Sequence, residues 1–364
     1  MTRAVVYLPD GSSGPGRIGD ADLEVVRRGP AELVLPEATV HDVRGGRLFN
    51  SLALAFDPAA GGGPLAGAEV DRQARAFGLV NTAFHLQRAL RYFAGLLQRP
   101  LPHLVARIGM HDRPRRWGGG HYRLPGRAMA PEGECAGPDG EIHLGGGARF
   151  LTPATGEPYF HAPAHNVAII YHEVGHHLCR HTADFRLNRL RPPREQTNKK
   201  IALDEGTADV FTAVLLGTPD IYGWHRHTVE EFDQRRRKLD GHWTMAYFRG
   251  GRDGDPHADG TLWASACWTA RARVAERGAD PVRFDALLVR GLELLGHATP
   301  LARTREALHG RRDFSRLLAA MTHADARLAP TVLAAMAEHG IRPGASNAEL
   351  TEAARRPAVD QAHR

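Results

Sequence analysis

Lysine is almost missing from this chain. Three of its 47 Lys and Arg residues are lysines: Lys199, Lys200 and Lys238. A formal net charge of +6 and an isoelectric point near 9.5 raise the question of a nucleic-acid partner. The excess of Arg, Ala, Gly and Pro reads instead as GC-rich coding, and Asp and Glu are interspersed nearly throughout. The short runs Arg113 to Arg116 and Arg235 to Lys238 are expected as solvated faces, because a polyanion needs a larger continuous basic surface. No nucleic-acid partner is expected.

Cysteine is scarce too. Cys135, Cys179 and Cys267 are isolated and form no C-x-x-C pair, which argues against a disulfide framework. Cys179 and Cys267 fall in apolar helical segments and are expected to pack as small hydrophobes. Cys135 lies in a Gly- and Pro-rich loop. Long apolar runs are also lacking. Ala4 to Leu8, followed by Pro9-Asp10-Gly11, is too short for the core of a signal peptide. No stretch approaches the length of a membrane helix. The expectation is a cytoplasmic chain without signal or propeptide, with no membrane partner. No internal repeat is visible, and structural calcium is not expected.

What is present is enough apolar material for a core. Hydrophobic residues make up 42% of 364 positions, which suits one large domain or two smaller ones. Apolar runs alternate with turn residues up to residue 60, predicting strands at Ala4–Leu8, Leu23–Val26, Glu32–Leu35 and Leu48–Phe56. Gly61-Gly62-Gly63-Pro64 marks a break. A helix is expected from about Ala68 to Leu97, then strands at Val105–Met110 and Glu141–Leu144, with glycine loops at 118–120 and 145–147. After Ala164 the pattern is mostly helical. Arg186 to Lys200 reads as a polar connection, Arg235 to Asp259 as a polar loop, and the tail from Ala345 as frayed. Strands first and helices later give an α+β fold.

The densest chemistry lies in His172-Glu173-Val174-Gly175-His176. Histidines at i and i+4 share a helix face and can hold one metal ion. The Glu between them can act as general base on a metal-bound water. Chance alone yields such a pattern in roughly 6% of shuffled chains of this composition, so the context decides. Val167, Ile170, Val174 and Leu178 recur at helical spacing, which gives the helix an apolar face apart from the histidines. Buried polar groups need partners, and a metal supplies them.

A second helix is expected from about Ile201 to Leu216. Within it Glu205 and Asp209 share a face. Glu205 is the candidate third zinc ligand, leaving a fourth position open for water. Asp209 is the candidate acceptor for the free N–H of one ligating histidine, and Asp204 for the other. Ala208, Val210, Phe211, Val214 and Leu215 around them are small or apolar, unlike a solvated helix face.

His172-Glu173-x-x-His176 followed by Glu205-x-x-x-Asp209 resembles the gluzincin metallopeptidases, in particular the thermolysin and fungalysin families. The segment His257-x-x-Gly260-x-x-Trp263-Ala264 is similar to the fungalysin stretch that carries a second catalytic histidine. The resemblance implies that His257 stabilises the oxyanion, with Asp253 or Asp255 holding its ring protonated. It also implies an edge strand that binds extended peptide by main-chain hydrogen bonds. That strand is expected near His121-Tyr122 and Glu141 to Leu144, with Tyr122, Arg127 and Ala128 as substrate contacts. Arg127 stands where the family keeps an Asn. The family's Tyr before the third ligand has no counterpart between His177 and Asp204, and Tyr222 and Tyr247 are the nearest substitutes.

The resemblance therefore implies a thermolysin-like two-lobed zincin. Its parts would be a β-rich lobe at 1–160, a zinc helix with a helical lobe at 161–344, and a polar tail at 345–364. The implied activity is zinc-dependent hydrolysis of peptide bonds, with one Zn2+ per chain and a peptide or protein substrate. The alternatives are a zinc hydrolase or biosynthetic enzyme acting on a modified-peptide or non-peptide substrate, and a non-catalytic zinc module with a fourth protein ligand.

Overall fold

The structure is a computed structural model. It describes residues 1–11, 17–48, 68–111, 117–125, 137–151, 158–221, 237–250, 254–297 and 305–355. The fold is mixed α+β. It divides into two compact units: residues 1–178, 191–198 and 211–234 in one, and 179–190, 199–210 and 235–364 in the other. The division falls inside two helices.

In the first unit, strands β1 (Thr2–Leu8) and β2 (Arg17–Leu23) form an antiparallel pair. A six-stranded sheet follows, made of β3 (Arg27–Arg28), β4 (Glu32–Val34), β5 (Ala38–Asp42), β6 (Leu104–Met110), β7 (Gly120–Arg123) and β8 (Glu141–Gly145). Its order is β3-β4-β5-β6-β8-β7. The β5–β6 and β6–β8 pairs are parallel. A parallel neighbour needs a long crossover, and helix α1 (Ala68–Leu97) provides it between β5 and β6. A further antiparallel pair joins β9 (Ala148–Leu151) to β10 (Pro158–His161).

Helix α1 buries Phe77, Leu79, Val80, Ala83, Leu86 and Phe93, and a large apolar side chain contributes about 1.5–3 kcal/mol when fully buried. Its buried polar residues act as ties. Asn81 accepts from the Tyr7 N–H at 3.0 Å and donates to the Ala164 carbonyl at 3.0 Å. His85 lies between the Tyr7 carbonyl, at 2.9 Å, and the Tyr171 hydroxyl, at 2.7 Å. Burial pushes the His85 pKa down to about 3. The same cause takes His165, bonded to the Ala74 carbonyl at 2.8 Å, down to about 4. Asp42 closes β5. Burial pushes its carboxyl up, but hydrogen bonds and charge from Arg44 and Arg75 outweigh that and hold it below the usual range.

Several sequence expectations change here. The strand at Glu141 to Leu144 is not the edge. β8 has neighbours on both sides and all five of its residues are buried. The edge is β7, which carries His121 and Tyr122. The strand expected at Leu23–Val26 ends at Leu23. β5 went unread because five residues between turn signals make a weak pattern. The strand expected at Leu48–Phe56 falls almost wholly outside the described residues, as does Cys135.

Helix α2 (Val167–His181) begins in the first unit and ends in the second. Helix α3 (Ala202–Leu216) begins in the second and ends in the first. The second unit continues with α4 (Pro256–Glu276), α5 (Val282–His297), α6 (Arg305–Gly310), α7 (Phe314–Ala324), α8 (Ala329–Glu338) and α9 (Asn347–Arg355). Trp263, Phe284, Phe314, Leu317 and Met336 are fully buried in it. Helix α9 corrects the frayed tail. The Ser346 N–H donates to Glu349 Oε2 at 2.7 Å and the Glu349 N–H to Ser346 Oγ at 3.3 Å. This reciprocal capping box starts a helix whose Leu350 is buried. Cys179 and Cys267 are buried free thiols. Among the described residues no helix is long and apolar enough to cross a membrane.

Candidate metal centre

Candidate residues occur in both units. In the first, Asn166 starts α2 by accepting the Ile169 N–H at 3.2 Å on its side chain. Val167, Ile170, Val174 and Leu178 are fully buried, so the apolar stripe read from the sequence sets the rotation of the helix. His172 and His176 converge, with their Nε2 atoms 3.2 Å apart. Two nitrogens on one tetrahedral zinc at about 2.0–2.1 Å are separated by about 3.3 Å. The pair therefore has the spacing of a shared ion. Glu173, between them in sequence, is buried.

Edge strand β7 runs close to this helix. A Cβ built on Gly120 would lie 2.6 Å from Ile169 Cγ2 and 3.4 Å from Glu173 Oε1. Only a residue without a side chain brings the strand this near the carboxylate. The next histidine, His177, is tied elsewhere: Nε2 to the Pro102 carbonyl and Nδ1 to the Tyr122 hydroxyl, both at 2.9 Å. The Tyr122 hydroxyl also meets the Asp139 carbonyl at 2.6 Å. In this structure Tyr122 thus clamps strand to helix. Arg127 and Ala128 lie outside the described residues.

In the second unit, Glu205 is buried on the first turn of α3. Helix α4 crosses α3 at two glycines. A Cβ on Gly206 would stand 2.2 Å from the Gly260 carbonyl oxygen, and one on Gly260 would stand 2.7 Å from the Ala202 carbonyl oxygen. This close approach sets His257, one turn before Gly260, beside Glu205. His257 Nδ1 lies 3.1 Å from Glu205 Oε2. Lys200 Nζ contacts His257 Nε2. An ammonium has only donors, so Nε2 accepts, and the ring proton sits on Nδ1, facing the carboxylate.

Of the two carboxylates expected to hold the His257 ring, one is described and is engaged elsewhere. The Asp255 side chain accepts the backbone N–H of His257 at 3.1 Å as the cap of α4 and does not hold the ring. Asp253 lies outside the described residues. The His257 pKa is lowered, chiefly by burial. Glu205 raises it, and the charges of Arg237 and Lys200 lower it further. The approach to α4 is organised by Asp259, which accepts the Arg249 and Gly250 N–H groups at 2.9 and 2.8 Å.

Asp204 and Asp209 have arginine partners. Arg186 NH1 lies 2.8 Å from Asp204 Oδ2. Arg237 forks onto both oxygens of fully buried Asp209, its Nε 3.0 Å from Oδ2. Arg237 is thus a half-buried partner of Asp209, not part of a solvated face. The Cys179 thiol is raised well above its usual range by burial and by the nearby Asp204 carboxylate. Tyr247 is exposed and sits edge-on to Trp243, while Tyr222 lies outside the described residues.

Sequence reading missed Lys200, Arg186 and Arg237. Buried carboxylates on an apolar helix demand cations, and that demand was legible. Which cations answer it is set by the path of the connecting loops. No family model and no curated protein matches this chain.

Proposed function

We propose that the chain is a zinc-dependent hydrolase of peptide bonds with a thermolysin-like, two-lobed gluzincin plan. His172, His176 and Glu205 would hold the metal. The observation that carries this reading is the convergence of His172 and His176 Nε2 at 3.2 Å on a helix that also buries Glu173. Bound zinc would supply Lewis acidity, polarising a carbonyl and lowering the pKa of water.

The chain's own groups do the rest. Glu173 removes a proton from the attacking water and returns it to the leaving amine. Edge strand β7, with Gly120 against Glu173, offers main-chain groups to an extended peptide. His257 is proposed to turn its Nδ1–H from Glu205 to the oxyanion and donate a hydrogen bond there. Asp204 and Asp209 are proposed to steady the ligating histidines, with Arg186 and Arg237 holding the carboxylates in place. Calcium has no role in this reading.

One observation favours a second reading. His257 Nδ1 and Glu205 Oε2, 3.1 Å apart, also have the spacing of two ligands on one ion. His257 as a fourth protein ligand would close the site and make the zinc structural.

Elemental analysis tests the metal claim. His176→Ala and Glu205→Gln should each bind one zinc fewer per chain than the native protein, since a neutral amide is a poorer ligand than a carboxylate. Unchanged zinc content in both variants would refute the assignment.

A further inference from the structure

The sheet of the first unit has a second histidine cluster, independent of the zinc helix. His121 on β7 pairs directly with His143 on β8. The neighbouring pair, Gly120 and Leu144, lies toward α2, because a Cβ on Gly120 would meet Leu144 and Ile169. Side chains alternate along a strand, so His121 and His143 lie on the opposite face. There buried His143 and Glu141 share one polar patch with half-buried Arg107 and Arg123, joined by His111 just past the end of β6. Ring centroids of His111, His121 and His143 are 4.8, 5.5 and 5.7 Å apart pairwise. One ring nitrogen from each lies within 4.8 Å of the other two.

The orientation of the rings is informative. His143 Nε2 meets Glu141 Oε2 at 3.2 Å, and Arg107 Nε meets the same oxygen at 2.7 Å. The carboxylate therefore takes the proton of His143 Nε2 and leaves Nδ1 as a lone pair. That Nδ1 is buried and has no hydrogen-bond partner, in a residue only 2% exposed. His111 and His121 approach through their Nε2 atoms, 3.1 Å apart. Arg123 Nε donates to His121 Nε2 at 2.8 Å, so this nitrogen also presents a lone pair. A purely structural cluster would satisfy His143 Nδ1. A carboxylate that orients one imidazole nitrogen while the other is left open is the usual arrangement behind a metal-ligating histidine.

We infer that His111, His121 and His143 form a second metal site that takes a zinc-class divalent ion. The donor set decides the class. Three imidazoles without thiolate or a free carboxylate suit zinc and its neighbours and disfavour magnesium and calcium. The ion replaces the Arg123 donor at His121 Nε2, and the fourth position is left to solvent. It ties the end of β6 to β8 and to edge strand β7. This site does not depend on the function proposed above.

Zinc counting tests it. The double variant His172→Ala/His176→Ala removes the zinc-helix pair. After chelation and dialysis against zinc chloride it should retain one zinc per chain and melt at a higher temperature with the metal than without. Adding His143→Gln should abolish both effects. If that triple variant fails to fold, Glu141→Gln in the double-variant background serves instead and should weaken zinc binding about 10–100-fold. Cobalt substituted into the double variant should give the visible bands of a tetrahedral site. No zinc in the double variant, or zinc binding that survives both His143→Gln and Glu141→Gln unchanged, would overturn the inference.

Discussion

Gly206 and Gly260 meet backbone to backbone where α3 crosses α4: a methyl group on Gly206 would lie 2.2 Å from the Gly260 carbonyl oxygen. Glu205 precedes one glycine and His257 lies a turn before the other, so this crossing determines their 3.1 Å contact. Ala is the better helix former by about 1 kcal/mol. Gly206→Ala should nevertheless destabilise the protein, by about 1–3 kcal/mol, because the helices must move apart. Urea denaturation measures this, and a variant as stable as the native chain would show that the crossing is loosely packed.

Arg237 forks onto Asp209, a carboxylate with no solvent exposure. Arg237→Ala should cost about 3–5 kcal/mol, because it strands a buried charge. Asp209→Asn combined with Arg237→Ala should recover part of that loss. If the single and double variants are equally stable, the ion pair does not hold the helix.

His165 gives the fold an acid limit. Its pKa is lowered by burial to about 4, against 6.5 for the unperturbed group. The folded state refuses a proton that the unfolded chain accepts. Its contribution is therefore complete above pH 6.5 and is lost as pH falls toward about 4, each pH unit across that window removing about 1.4 kcal/mol. His85, lowered to about 3, acts in the same direction. His165→Gln should flatten the stability curve across this window. Parallel curves for the variant and the native protein would contradict the assignment.

His257 separates the catalytic reading from the closed, structural one. His257→Ala should keep the zinc held by His172, His176 and Glu205, lower kcat by about 10²–10³ and leave KM nearly unchanged. Loss of that zinc would instead make His257 a ligand.

Periodicity made much of this molecule readable. The stripe of Val167, Ile170, Val174 and Leu178 fixed both the helix and the face that carries His172 and His176. Helix α1 matched its expected span. What stayed hidden depends on contacts distant in sequence. That β8 lies inside the sheet and β7 alone forms the edge near it follows from pairing order, which strands of four or five residues do not encode. The partners Arg186, Lys200 and Arg237 come from loops with no period. His111, His121 and His143 share no local motif, and only strand register brings them together. The Ser346-x-x-Glu349 cap was legible, but the polar composition around it obscured the signal.

The central claim is that Glu173 is the base beside a metal held by its neighbours. Glu173→Gln is nearly isosteric and cannot accept a proton. Hydrolysis of a peptide panel and zinc content should be measured on the same preparation. The account predicts full zinc content with peptide hydrolysis reduced by about 10²–10⁴-fold. Retention of more than about a tenth of the native rate, given that general-base catalysis is normally worth far more, would contradict it.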